Sequence, residues 1–168
     1  MELAEQLTRW SALTALFGAT VTLCCRLSRL SVPESILRGL WAASCVIFLI
    51  HVGCAFQFYH HWSHADAYEA TAVRTRETVG VNTGAGLHLN YLFTAAWLAD
   101  VAWWWTAPAS HHRQPRWLTW TLAAFFGFMA INATIVFGGT AARWVGGGCA
   151  VLIVFAVVGG LQSRCVAN

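Results

Sequence analysis

The chain contains no lysine, and it carries very little charge of either sign. Its ten basic residues are all arginine, and charged side chains make up 10% of the whole. A soluble domain carries roughly 25%, so a chain this poor in charge cannot coat a water-facing globule. Hydrophobic residues reach 58% and tryptophan occurs ten times. Lipid must cover such a chain, which predicts a polytopic membrane protein. The missing lysine is what codon bias in a GC-rich genome produces, and a prokaryotic cell membrane is the expected location.

Other absences narrow the chemistry. The six cysteines, Cys24, Cys25, Cys45, Cys54, Cys149 and Cys165, show no CxxC spacing, which argues against a redox motif or a zinc knuckle. No GxSxG motif supplies a hydrolase nucleophile. The glycine-rich GVNTGAG, residues 80–86, lacks the flanking strand and helix of a phosphate cradle. A net charge of +3 with no basic block leaves nucleic acid nothing to bind. The repeated halves and broken helices of a transporter are also missing.

What the chain has in quantity is apolar helix. Five stretches, roughly 8–25, 37–59, 87–106, 117–139 and 144–162, are long enough to cross a ~30 Å hydrocarbon core. Glu2 and Glu5 precede the first where a signal peptide would be basic, so it is read as a retained helix. The fold expected is all-α: a five-transmembrane-helix bundle forming one membrane domain over residues 1–168. A polar, amphipathic segment, residues 60–86, joins the second and third helices.

Five crossings put the termini on opposite faces. One face holds Arg26, Arg29, Arg38, Arg113, Arg116 and Arg164 against the single acid Glu34. The other holds Arg9, Arg74, Arg76 and Arg143 against Glu2, Glu5, Asp66, Glu69 and Glu77. The excess of arginine marks the first face as cytoplasmic. The N-terminus and the polar segment are then outside and the C-terminus inside. Tryptophans at the span ends, among them the WWW run Trp103, Trp104 and Trp105, form an interfacial belt.

The polar segment FYHHWSHADAYEATAVRTRE, residues 58–77, holds the candidate chemistry. No proline or glycine interrupts it from His60 to Val79, which predicts one helix. On that helix His60 and His64 are i,i+4 neighbours and His61 and His64 are i,i+3 neighbours, so either pair can face one ion. The pairing follows the geometric logic of the HExxH helix without its glutamate. Asp66, Glu69, Glu77 and His88 are the candidates for completing a site, since two imidazoles alone hold a metal weakly. Imidazole with carboxylate suits zinc, copper or iron. The plainer reading is an interfacial helix whose acids pair with Arg74 and Arg76.

Beneath this segment lie polar residues that are costly in hydrocarbon. His51 and Asn132 fall at ~21–23 Å above the inner face by helical rise, with Asn90 and Gln57 slightly higher. Together they predict a polar pocket opening outward, or a His51–Asn132 hydrogen bond. A b-type haem would need axial histidines at one depth. His51 and His88 are the pair available, though the helical rise sets them ~7 Å apart in height. Asp100, near the inner end of the third span, is expected to face the bundle interior or to pair with Arg38. His111 and His112 lie in a proline-bracketed inner loop and are expected to be solvated.

Three functions fit these residues. The first is a membrane protein binding a metal or haem at its outer face, in redox or metal-dependent chemistry. The second is a non-catalytic subunit, packing in the bilayer against copies of itself or other membrane proteins. The third is a small transporter.

Overall fold

The computed structural model describes residues 2–28, 31–136 and 138–166, with backbone alone for Leu27, Ala141 and 156–166. Arg29 of the charge count lies outside the described residues, as do the side chains of Arg164 and Cys165. The fold is all-helical, with no strand among the described residues. In chain order the helices are α1 (Glu2–Leu27), α2 (Glu34–Tyr59), α3 (His64–Val79), α4 (Gly86–Thr106), α5 (Pro108–His112), α6 (Arg116–Ile131) and α7 (Thr140–Val166). A π-helical turn, Asn132–Val136, extends α6.

The first two helices form an antiparallel pair. Pro33, with φ −54° and ψ 133°, ends the connection and caps α2, because its ring fixes φ and offers no N–H to an earlier turn. Residues pair across the hairpin in reversed order: Thr8 meets His51, and Gly18 meets Ser44. A Cβ at Gly18 would collide with the Ser44 hydroxyl, so the small residue sets how closely the two backbones approach.

Among the described residues two helices are long and apolar enough to cross a membrane: α2, and α6 with its π turn as Arg116–Val136. Within α7 the described side chains form an apolar stretch over Ala142–Phe155. Helix α4 has 21 residues, but His88, Asn90, Tyr91 and Asp100 interrupt its apolar character. The fourth apolar stretch turns π-helical at Asn132 and the π turn closes at Val136, short of the expected residue 139.

Aromatic packing joins the helices. Trp41 on α2, Phe93 and Trp97 on α4 and Phe126 on α6 form one cluster. Centroid separations run from 4.6 Å for Phe93–Phe126 to 5.4 Å for Phe93–Trp97, within the range where ring pairs attract beyond their buried area. Cys45 is buried beside this cluster, and the described cysteines are free thiols.

Helix α3 is the polar segment. Gly80 closes it in the left-handed conformation, φ 78°, which glycine adopts without steric cost. The chain then turns back so that Gly84 packs against the backbone and ring of Tyr68, with no room for a Cβ. That contact fixes α3 beside the start of α4.

Candidate functional site

The single helix expected from His60 onward is interrupted. Helix α2 stops at Tyr59, and His61 and Trp62 take left-handed φ values of 47° and 58°. Ser63 then caps α3, its hydroxyl accepting from the Asp66 amide at 3.2 Å. Serine competes well for this role because its oxygen satisfies an N–H that the first helical turn leaves open. The break removes the i,i+4 and i,i+3 spacings on which the three-histidine site depended. His60 sits in the turn with its ring against Phe56 at 5.7 Å, His61 is exposed, and His64 opens α3. Burial holds the His60 imidazole below its ordinary pKa, partly offset by Asp66.

A different set of rings meets at this end. His64 and His88 lie 5.9 Å apart between centroids, and the His64 Nδ1 is 3.0 Å from the Tyr91 hydroxyl. Tyr68 lies 5.9 Å from His88. Two of the expected ligands, His64 and His88, thus come together, while His60 and His61 do not join them. Asp66, Glu69 and Glu77 line a shallow depression on α3 with Val73 and Arg74. Among the described residues no group of three or more His, Cys, Asp or Glu side chains could hold a metal ion.

A cavity with mostly apolar walls lies among the helices. It measures about 590 Å³ and lies between α1, α2, α4, α6 and α7, with α3 contributing Thr71, Arg74 and Thr75. His51, Asn90 and Asn132 line it, as does His60. Gln57 instead accepts a hydrogen bond from Trp62 Nε1 at 2.9 Å. His51 and Asn132 are not bonded to each other. The Asn132 amide donates to the Phe128 carbonyl at 2.8 Å, and His51 Nδ1 lies 2.8 Å from the Thr8 carbonyl. A carbonyl only accepts, so Nδ1 carries the proton and Nε2 keeps its lone pair. The deep wall is aromatic, with Phe48, Phe93, Trp97 and Phe126. His88, the proposed axial partner of His51, is not among the lining residues and faces the outer ring cluster instead.

At the opposite end Asp100 is buried, as expected, but its partners are not. Its carboxylate accepts from Trp41 Nε1 at 2.9 Å and contacts His111 Nε2 at 3.1 Å. Arg38 places its guanidinium over the Trp105 ring at 4.7 Å. His111 is 1% exposed, against the solvated loop expected. The inner loop folds into α5, which stacks this imidazole on Trp104 at 4.8 Å and 8°. Trp104 Nε1 in turn donates to Glu34 at 2.8 Å, and His112 reaches the same carboxylate at 2.6 Å. These contacts clasp α2, α4 and α5 together. Neither partner of Asp100 lies near it in sequence: His111 is eleven residues away and Trp41 fifty-nine. The one signal available was a histidine pair held between Pro108 and Pro115.

Comparison with protein-family models, with curated proteins and with solved structures finds no match to this chain.

Proposed function

We propose that this chain is a five-span integral membrane protein, N-terminus outside and C-terminus inside, that holds a lipophilic small molecule between its helices. The cavity of about 590 Å³ carries this reading. Ligand sites are typically concave, of ~300–1,000 Å³, mostly apolar, with a few polar groups that orient the occupant. Here aromatic and aliphatic side chains form the walls, and His51, Asn90, Asn132 and Thr75 supply the polar groups.

Surface chemistry supports the bilayer. Only 17% and 11% of the most apolar windows of α2 and of Arg116–Val136 is buried inside the chain, whereas a core helix of a soluble protein would be mostly covered. Val46, Ile50, Leu92, Leu98, Phe128, Val154 and Phe155 all stand exposed. Contiguous apolar surface of this kind needs lipid or a partner. The arginine imbalance supports the orientation.

A second reading, a transition metal at the outer face, rests on the His64–His88 pair alone. Two imidazoles with solvent ligands would bind zinc, copper or iron weakly. Elemental analysis of the purified protein tests it, and a metal-free protein that takes up no added metal removes it.

The cavity is tested by extraction. Wild-type protein moved from cells into nanodiscs of defined lipid should retain a near-stoichiometric lipophile foreign to that lipid, detected by mass spectrometry. Ala55 lines the cavity one turn from His51, so Ala55→Trp should fill it and lose the occupant while keeping the elution volume of the wild type. Identical extracts from both proteins would refute the reading.

A further inference from the structure

We infer that the occupant is an oxygen-bearing lipophile, meeting the chain through hydrogen bonds to Trp97 Nε1 and His51 Nε2. This rests on the cavity reading above and specifies the ligand class.

Trp97 is the first reason. Its indole is 2% exposed, it lines the cavity, and its buried Nε1 has no partner. The other two buried indoles are satisfied, Trp41 by Asp100 and Trp104 by Glu34. The rings packed on Trp97 are Trp41, Phe48, Phe93 and Phe126, none of which offers an acceptor oxygen. Buried donors are almost always paired, and an orphan in a cavity wall marks the place of a missing acceptor. An oxygen of a bound ligand fills that role.

His51 is the second and independent reason. Because the Thr8 carbonyl takes the Nδ1 proton, Nε2 offers a lone pair, and it calls for a donor. In a mostly apolar cavity the donor that fits is a hydroxyl. Phe48 connects the two groups, with its ring 6.0 Å from His51 and 5.4 Å from Trp97. In this proposal one molecule lies along Phe48 and meets both nitrogens. The class defined is a lipophile with a hydroxyl, whose oxygen accepts from Trp97 and whose hydrogen is donated to His51; a prenyl or polycyclic alcohol or a quinol would satisfy it. The mass of the extracted compound separates these sources.

The test uses three probes of one length: dodecanol, which donates and accepts; undecyl methyl ether, which only accepts; and tridecane, which does neither. Binding to the full-length protein in nanodiscs is read by native mass spectrometry. Dodecanol should bind about three- to tenfold more tightly than the ether, and the ether more tightly than the alkane by a similar factor. His51→Phe should erase the first step and leave the second. Trp97→Phe should erase the second, while its ligand-free thermal midpoint stays level or rises, because the orphan donor is gone and an aromatic ring remains. A purely structural tryptophan would lower that midpoint. Equal binding of all three probes, or steps that survive both substitutions, overturns the inference and leaves the cavity reading standing. No binding of any probe to wild type, or binding to Ala55→Trp equal to that of wild type, removes both.

Discussion

Asp100 shows what a single charge demands of an apolar helix. A carboxylate so deeply buried must be hydrogen-bonded on its exposed lone pairs, or it protonates or destabilises the fold. Trp41 and His111 supply those bonds from α2 and α5, so the charge organises three helices at once. His111→Ala should leave one carboxylate oxygen without its partner and strip the stacked ring from Trp104. The expected loss is about 2 kcal/mol, read as a lower thermal midpoint in detergent. An unchanged midpoint would mean that the Asp100–His111 contact carries no stability. The arginines behave differently: Arg26 and Arg38 lie over Trp104 and Trp105 at 4.7 Å each, where the positive charge meets the ring face. That is why pairing Arg38 with Asp100 from sequence depth alone failed.

Helix α3 carries the lesson at the next scale. It packs against α4 through Ala67, which is fully buried, and through the Gly84 approach to Tyr68. Its other flank presents Asp66, Glu69 and Glu77 outward. Helix α3 therefore has little packing to spare and depends on its ends. Ser63→Ala removes the cap on the Asp66 amide, with an expected cost of about 1 kcal/mol. Hydrogen exchange should accelerate in the α3 amides while the core amides of α2 stay protected; uniform exchange in both proteins would contradict the capping role. The amphipathic helix itself was legible from the run without glycine or proline. Its start was not, because two left-handed residues and a serine cap turn the chain where composition alone favours continuing the helix.

For the whole molecule, the testable consequence is orientation. On the proposed topology, five crossings with the arginine-rich loops inside would place Asn82 outside and Arg113 inside. An epitope inserted at Asn82 should be reached by antibody on intact cells, and one at Arg113 only after permeabilisation. The reverse pattern would invert the topology, and labelling of both on intact cells would require a different number of crossings. The cavity fits the same frame, since His51 and Asn90 lie toward the α3 end and the Asp100 clasp closes the other.

Sequence alone determined the helical class and the apolar, charge-poor composition, because both follow from averages: apolar length and charge density need no partner to be read. It also located His51, Asn90 and Asn132 at matching depths, since helical rise is a local property, and all three line one cavity. Tertiary structure decided which side chains meet. His64 pairs with His88 instead of His60, Asp100 with His111 instead of Arg38, and Trp97 is left with an unanswered N–H. Each of these depends on a turn angle or a helix face that only packing sets, and hydrogen bonds form between atoms within about 3 Å, whatever their separation along the chain.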